Sequence, residues 1–224
     1  MTMDAGTNIL GIDEAGRGPL IGPLVMCGFY VGGLQERKRL EKLPLNDSKA
    51  LSAKKREALA AELIHFEHEL VVIQPEELDR NNINELEIRA VARLIKRFNP
   101  RVAIVDAMVP PGGIPKLLCH LRYLIGWKKS RESPHLILEN KADAIYAVCM
   151  AASILAKVAR DREAERLRVQ FGDFGSGYPS DPKTRNFVTA LRGSFGNFSP
   201  HLRHKWATLK KLAPCEQSPV ALLP

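Results

Sequence analysis

Apolar and polar positions along the chain form two apolar runs near the N-terminus and then alternate between helical and strand spacing. The runs at residues 9–12 and 20–31 are rich in β-favouring side chains, so they predict a hairpin or meander. From Ser52, a candidate helix N-cap, apolar residues recur at helical spacing up to Leu70, where a strand at 71–73 follows.

In the rest of the chain, segments with helical spacing of apolar residues again alternate with segments of strand spacing. Asn84 and Glu87 have the spacing of a capping box, and Asp181 followed by Pro182 has the order of an N-cap and a first helical residue. The further predicted elements are a helix at 84–99, strands at 102–106 and 136–139, a long helix at about 144–168 and a basic amphipathic helix at 199–212. Strands that alternate with helices indicate an α/β domain.

Two neighbouring acids, Asp13 and Glu14, directly follow the first apolar run. An unpaired buried carboxylate costs on the order of several kcal/mol, so these acids need compensation, and hard divalent cations take carboxylate oxygens as ligands. Asp106 ends a later strand, and Asp143 lies at the start of the long helix. Convergence of these four acids would form a metal site, although Asp106 alone could be a solvated turn residue and Asp143 alone an ordinary N-cap.

Glycines directly after the acids raise the alternative of a nucleotide-binding loop. Gly16, Gly18 and Gly22 have the spacing G-x-G-x-x-x-G, one residue longer than the dinucleotide fingerprint, and Pro19 stands where a helix would begin. The dinucleotide fingerprint is therefore excluded. Open backbone amides and the Arg17 guanidinium suit a phosphate contact, against the alternative of a purely structural turn.

A second candidate ligand contact lies in a loop rich in glycine and proline at residues 171–184. We expect Tyr178 in this loop to be presented to a ligand; the alternative is a ring that anchors the loop. The chain carries 33 Lys plus Arg against 25 Asp plus Glu, a formal charge of +8, which fits a polyanionic partner as a supporting argument only.

Cysteines and histidines give no indication of a zinc site. The 4 cysteines lack C-x-x-C spacing, and the pairs His65 with His68 and His201 with His204 lack the i, i+4 zinc pattern. We interpret the first pair as part of a solvated helix face and the second as part of a basic patch. Reduced cysteines, an N-terminus unlike a signal peptide and the lack of a run of roughly 18 apolar residues predict a soluble, cytoplasmic protein with no membrane partner.

Six sequence blocks, in order, resemble the signature blocks of type 2 ribonuclease H, the ribonuclease HII family. They are Gly-Ile-Asp-Glu-Ala-Gly-Arg-Gly-Pro-Leu-Ile-Gly-Pro at 11–23, Asp-Ser-Lys-Ala-Leu-Ser at 47–52, Ile-Val-Asp at 104–106, Lys-Ala-Asp at 141–143, Ala-Ala-Ser-Ile-Leu-Ala-Lys-Val-Ala-Arg-Asp at 151–161 and Gly-Ser-Gly-Tyr-Pro-Ser-Asp-Pro-Lys-Thr at 175–184. The last block is similar to the archaeal and eukaryotic branch. Ala107 and Met108 stand where the bacterial branch usually has Gly-Asn.

The resemblance implies an RNase H-like α/β fold, with a mixed central sheet flanked by helices and a small helical C-terminal extension. The corresponding division is a catalytic domain at 1–180, the extension at 181–212 and a flexible tail at 213–224. It further implies an endonuclease that cuts the RNA strand of RNA/DNA hybrids and single ribonucleotides in duplex DNA, and we expect this protein to be a monomer. The expected products carry 3′-hydroxyl and 5′-phosphate ends, and the expected cofactors are two Mg²⁺ or Mn²⁺ ions.

The same resemblance implies a role for each site residue. Four acids would hold the ions, a Gly-Arg-Gly turn would read the ribose 2′-hydroxyl with the adjacent phosphate, a tyrosine would pack on the neighbouring sugar, and basic residues would contact phosphates. In that order they are Asp13, Glu14, Asp106 and Asp143; Gly16, Arg17 and Gly18; Tyr178; and Lys49, Lys157, Arg203 and Lys205.

Two alternatives stay open at the level of sequence. A DNA-specific nuclease or resolvase on the same fold would also cluster acids, and cleavage of an all-DNA duplex would identify it. A hybrid-binding protein without catalysis would keep the basic surface, but the intact set of four acids argues against it.

Overall fold

Five strands form one mixed sheet in the computed structural model, which describes residues 6–45, 52–130, 133–191 and 196–212. The strands are β1 Ile9–Ala15, β2 Leu24–Val31, β3 His68–Ile73, β4 Val102–Asp106 and β5 His135–Glu139. Their order is β3-β2-β1-β4-β5, with β1-β2 and β2-β3 antiparallel and β1-β4 and β4-β5 parallel. The predicted mixed sheet is confirmed, and the carboxyl ends of β1, β4 and β5 meet at one edge.

Helices cover both faces of this sheet. Within the described residues they are α1 Leu34–Glu41, α2 Ala53–Leu63, α3 Pro75–Arg80, α4 Ile83–Phe98, α5 Ile114–Ile125, α6 Ala147–Phe171, α7 Pro182–Ala190 and α8 Ala207–Leu212. One apolar core lies between the sheet and α6 with α2, and a second lies between the sheet and α4 with α5. None of the described helices is both long enough and apolar enough to span a membrane.

The long helix α6 lies directly against the central strand β1. Gly11 is the contact point, because a Cβ there would lie 2.4 Å from the backbone carbonyl carbon of Val148. A side chain at position 11 would therefore push the helix away from the strand. The close approach also brings Ser153 of α6 within hydrogen-bond reach of Asp13.

The C-terminal segment packs against the chain that follows β1. Leu20 and Leu202 share a third apolar cluster with α6 and α7, and Ile21 pairs with Leu202 in an isolated β-bridge. The Gly22 amide donates to the His201 carbonyl at 2.8 Å. The division into a catalytic domain and a helical extension stays a prediction, and the tail at 213–224 lies outside the described residues.

Two predicted helix N-caps are confirmed, and three predictions of where a helix begins or ends are wrong. The Ser52 hydroxyl accepts from the Lys55 amide at 3.4 Å, and Asp181 caps α7 through the Lys183 amide. The capping box at 84–87 is wrong, because Asn82 caps α4 and Glu87 is buried. The predicted helix at 199–212 is instead a 3-10 turn, Gly196–His201, followed by α8.

The helix predicted to run from Ser52 to Leu70 ends at Leu63. Phe66 turns into the core just beyond this end, and β3 begins two residues later. His65 and His68 therefore lie on a turn and at a strand start, so the helix face assigned to them is wrong. The sheet edge at β2 sets this boundary, because β3 pairs with β2 along its whole length.

Candidate active site

Three acids from separate segments converge at the carboxyl edge of the sheet. Asp13 lies near the end of β1, Asp106 ends β4, and Asp143 lies in the 3-10 turn Ala142–Ala144 after β5. One carboxylate oxygen of each lies within 4.8 Å of the others. Because Ile12 pairs with Val105 across parallel strands, Asp13 and Asp106 are neighbours in register and share a face of the sheet.

Backbone geometry fixes the position of Asp106. Its Oδ1 accepts from the Lys141 amide at 2.9 Å, and Lys141 has a left-handed φ of 63°. The Asn140 amide group donates to the carbonyls of Ala107 at 2.8 Å and Val109 at 2.7 Å, which joins the loops after β4 and β5. A left-handed conformation is strained for a residue with a Cβ. The hydrogen bonds of Asn140 and Asp106 stabilise this conformation at Lys141.

Burial and mutual repulsion make the charged forms of Asp13 and Asp106 unfavourable. Burial, and next the neighbouring Glu14 carboxylate, raise the pKa of Asp13 well above its ordinary value, against a hydrogen bond from Ser153. Burial and the Asp143 carboxylate raise the pKa of Asp106. Such a cluster needs compensation, and a set of carboxylate oxygens suits a hard divalent cation. The residues at this edge therefore fit a divalent metal ion.

Glu14 lies beside this cluster and not in it. Successive side chains of a strand point to opposite faces, so Glu14 turns away from Asp13. Burial raises the pKa of Glu14 to about 7, with further contributions from the Glu87 and Asp106 carboxylates and an opposing one from Arg17. Among the described residues, the group of three acids excludes Glu14, and its predicted role as a metal ligand stays a prediction.

The Gly-Arg-Gly loop, residues 16–18, follows directly after β1. Gly16 has φ +92°, and a Cβ on it would lie 2.7 Å from the Pro23 carbonyl oxygen, so only glycine fits there. The amides of residues 16–18 have no hydrogen-bond acceptor within the described parts of the chain. The loop therefore offers donors at the mouth of the site.

The Arg17 side chain is 36% exposed and pairs with groups of the protein, and its predicted phosphate contact stays a prediction. Nη1 donates to Glu87 Oε2 at 2.8 Å and to the Met108 carbonyl at 3.1 Å, and Nη2 donates to Asn84 Oδ1. Glu87 is a functional candidate that sequence reasoning missed, because its spacing after Asn84 predicted a helix cap. Burial raises the pKa of Glu87 to about 7, against the opposing charge of Arg17.

The prediction that Arg203 contacts a phosphate is wrong. Its side chain is 0 % exposed and donates to three carbonyl oxygens from beneath the loop. The acceptors are Gly16 at 2.6 Å, Arg17 at 3.0 Å and Gly22 at 3.0 Å. Burial, followed by the neighbouring Arg160, lowers the pKa of Arg203 to about 10. Its geometry braces the loop and leaves it no surface for a phosphate.

Tyr178 is exposed at the rim of the site, 37 % by surface area, as the sequence predicted. The Arg160 guanidinium carbon lies 5.1 Å from its ring centroid, and Arg160 Nη2 donates to the Ser176 carbonyl at 2.7 Å. Gly18 approaches the same ring, since a Cβ there would lie 3.4 Å from Tyr178 Cε1. The contact of Tyr178 with a sugar stays a prediction.

The remaining predicted basic residues differ in their surroundings. Lys157 is half-buried, and its Nζ donates to the Ser153 hydroxyl at 2.8 Å, in reach of the acid cluster. Lys205 is exposed, with its backbone amide bound to Asp79. Lys49 lies outside the described residues. The phosphate contacts of these three lysines stay predictions.

One cleft lies between the Gly-Arg-Gly loop, helix α6 and Tyr178. It has a volume of about 240 Å³, and its lining residues are Glu14, Ala15, Gly16, Arg17, Gly18, Lys157, Arg160, Asp161 and Tyr178. Two carboxylates, three cationic side chains, an aromatic ring and amides that have no internal acceptor among the described residues thus surround a space next to the acid cluster. This combination suits a phosphodiester with an attached sugar.

Comparisons with known proteins agree with this geometry. Residues 10–209 match the family model described as Ribonuclease HII. A ribonuclease HII of Pyrococcus abyssi is 37% identical over 210 residues, covering 91% of this chain and 90% of the relative. One of Archaeoglobus fulgidus is 41% identical over 208 residues, covering 90% and 95%.

Solved structures show the same fold. The crystal structure of the ribonuclease H2 from Pyrococcus horikoshii superimposes with a TM-score of 0.80 at 36% identity, covering 92% of this chain and 97% of that one. The PCNA:RNase HII complex from Archaeoglobus fulgidus gives 0.78 at 39% identity, covering 91% and 96%. A ribonuclease HIII, at 20% identity and a TM-score of 0.75, shares the fold.

The mixed sheet and its acidic edge define a metal-dependent hydrolase on an RNase H-like fold. Within that class, this chain belongs to the ribonuclease HII family and is an RNase H endonuclease. The predicted family, fold class and enzyme class are confirmed.

Proposed function

We propose that this protein hydrolyses the RNA strand of RNA/DNA hybrids and cuts at single ribonucleotides embedded in duplex DNA, leaving 3′-hydroxyl and 5′-phosphate ends. The observation that supports this most strongly is the placement of the Gly-Arg-Gly loop beside the acid cluster, in one cleft with Tyr178. A group that recognises a ribose and a group that cuts its phosphodiester must lie side by side.

The acids would hold two Mg²⁺ or Mn²⁺ ions. Asp13, Asp106 and Asp143 provide the converging oxygens, and Glu14 extends the acidic surface towards the cleft. A donor set made only of oxygens favours Mg²⁺ or Mn²⁺ over zinc. When bound, such ions activate a water and stabilise the charge on the phosphate and the leaving oxygen.

The protein residues supply recognition and orientation. Unpaired amides of the Gly-Arg-Gly loop would bind the 2′-hydroxyl and the adjacent phosphate oxygen, since glycine lets a backbone approach a ribose closely. Tyr178 would pack on the neighbouring sugar, and Lys157, next to Ser153, would face the phosphate backbone. We expect the active protein to be a monomer.

Cleavage of three duplexes tests this proposal: a long RNA/DNA hybrid, a DNA duplex with one ribonucleotide, and an all-DNA duplex, each with Mg²⁺ or Mn²⁺. We expect cutting of the first two and not of the third, with ends that a 5′-phosphate-dependent exonuclease degrades. Cutting of the all-DNA duplex at a similar rate would instead identify a DNA nuclease. Binding of the hybrid without cutting would identify a binding protein.

A further inference from the structure

Glu87 is a buried acid that neither the metal cluster nor the cleft contains. It lies in the second turn of α4, its side chain is 0 % exposed, and its Oε1 has no hydrogen-bond partner among the residues that the structure describes. Acids are rarely buried without a paired charge, and an unsatisfied oxygen adds to the unfavourable energy. An acid buried at this energetic cost points to a role beyond packing.

The partner of Glu87 is the central residue of the Gly-Arg-Gly loop. Arg17 Nη1 lies 2.8 Å from Glu87 Oε2, and the same guanidinium reaches Asn84 of α4 and the Met108 carbonyl after β4. The Arg17 side chain thus joins the loop to the helix and to the strand that carries Asp106. It connects the element that would recognise a ribose with an element that would hold a metal.

Arg203 completes the arrangement from the opposite side of the loop. Inside the protein, its guanidinium donates hydrogen bonds to the carbonyl oxygens of Gly16 and Arg17. With these carbonyls bound below and the Arg17 side chain bound to α4, the loop amides keep no internal acceptor within the described residues. The loop is held by its side chain and its carbonyls, which leaves its donors for a ligand.

We propose that Glu87 is a positioning residue that, through Arg17, sets the place of the Gly-Arg-Gly loop relative to the acid cluster and so determines the rate of cutting at a ribonucleotide. This inference rests on the proposed function. A buried ion pair often contributes little net stability compared with an apolar replacement, so stability alone gives no reason for the pair. Small displacements of a positioning group, by contrast, lower rates strongly.

A double-mutant cycle on Glu87→Gln and Arg17→Met tests the inference. Gln keeps the shape of Glu87 and removes its charge, and Met keeps much of the length of Arg17 and removes its donors. Glu85→Gln is the matched control, because Glu85 lies on the same helix and is 46% exposed. The measurements are the single-turnover rate and Kd on a DNA duplex with one ribonucleotide, over a series of metal concentrations up to saturation, and amide hydrogen exchange over residues 14–20.

We expect each single variant to lower the rate by about 10- to 100-fold, with Kd changed by less than about threefold. The double variant should be no slower than the slower single variant, because both changes break one connection. Exchange over the loop should be faster in all three variants and unchanged in Glu85→Gln.

A wild-type rate in Glu87→Gln, or effects that multiply in the double variant, would overturn the inference. So would a defect in Glu87→Gln that disappears on raising the metal concentration, because Glu87 would then act on the acid cluster and not on the loop. If the wild-type protein cut no duplex, the proposed function would fail. The exchange comparison would still decide whether Glu87 holds the loop.

Discussion

Asp13 is an acidic residue in surroundings that disfavour its charge. It is 6 % exposed, it lies beside other carboxylates, and the donors that stabilise its charge are neutral groups, the Ser153 hydroxyl and the Glu14 amide. A group in this environment favours its protonated form until a cation arrives. The same holds for Glu14, whose pKa burial raises to about 7.

Stability should therefore depend on pH in the metal-free protein. The ordinary pKa of Glu14 is 4.5 and the folded value is about 7, so between these values the folded state binds more protons than the unfolded chain. Its contribution to stability is present below about pH 4.5 and is lost as the pH rises through about 7.

We expect the Tm in a chelator to fall from about pH 5 to about pH 8, and to fall less in Glu14→Gln. Mg²⁺ should raise the Tm more at the higher pH, because the ion competes with protons for the acids. A Tm that Mg²⁺ does not change at about pH 8 would argue against a metal site here.

The glycines of the Gly-Arg-Gly loop should respond differently to alanine. Gly18→Ala places a Cβ at an ordinary contact distance, 3.4 Å, from the Tyr178 ring, so it should leave the Tm unchanged. It should lower kcat/KM on the one-ribonucleotide duplex, by roughly 5- to 150-fold for one lost hydrogen bond. Gly16→Ala should destabilise the fold itself, by about 1–2 kcal/mol or more, since it requires a left-handed alanine.

Urea unfolding and steady-state kinetics on both variants check this difference. Full activity in Gly18→Ala would make the loop a structural turn only. An unchanged stability in Gly16→Ala would contradict the backbone geometry described for that position.

Some of the site residues could be predicted from the sequence alone, and others could not. The acids were predictable, because each follows an apolar run or opens a helix, and such positions meet at one edge of a parallel sheet. The pairing of Arg17 with Glu87 and the burial of Glu87 were not, because 70 positions separate the two residues and no local period connects them. Glu87 fitted a capping box by spacing, and tertiary pairing decided otherwise.

At the scale of elements, the contact between α6 and β1 positions the site. Gly11→Ala would place a Cβ 2.4 Å from the Val148 backbone, which cannot rotate away as a side chain would. We expect a loss of about 1–3 kcal/mol in unfolding free energy and a lower kcat, because Ser153 moves with the helix. Ala151→Gly, at a buried position of α6, is a control that destabilises the same helix without a clash.

If Gly11→Ala lost as much stability as Ala151→Gly and kept its full kcat, the position of α6 would have no effect on catalysis.

Element boundaries explain most wrong predictions. Apolar spacing continued past Leu63, but the sheet edge at β2 required a strand from His68. The basic segment after Ser199 has helical composition, yet the buried Arg203 interrupts it.

At the scale of the whole molecule, the C-terminal segment is part of the site's support. Residues 201–203 bind the chain at 20–22 through a β-bridge and backbone hydrogen bonds, and Arg203 reaches the Gly-Arg-Gly loop. Deleting the chain from Ser199 onward would remove this brace along with any phosphate contact. Point variants separate the two effects.

We expect Arg203→Met to lower the Tm and the cleavage rate together, because it leaves three carbonyl oxygens without donors. Lys205→Gln, at an exposed position, should leave the Tm unchanged. If Lys205 contacts a phosphate, its loss should reduce the slope of log Kd against log salt by about 0.7–0.9. A slope identical to wild type would remove Lys205 from the substrate path.

The most direct test of the account measures the single-turnover rate and Kd of the wild-type protein and of Asp106→Asn on a DNA duplex with one ribonucleotide. Asp106 is partly exposed and held by backbone contacts, so the variant should keep the fold and the substrate affinity. We expect cutting at the ribonucleotide by the wild type, and loss of cutting with an unchanged Kd in the variant. A near-wild-type rate in Asp106→Asn would contradict the claim that these acids carry the chemistry.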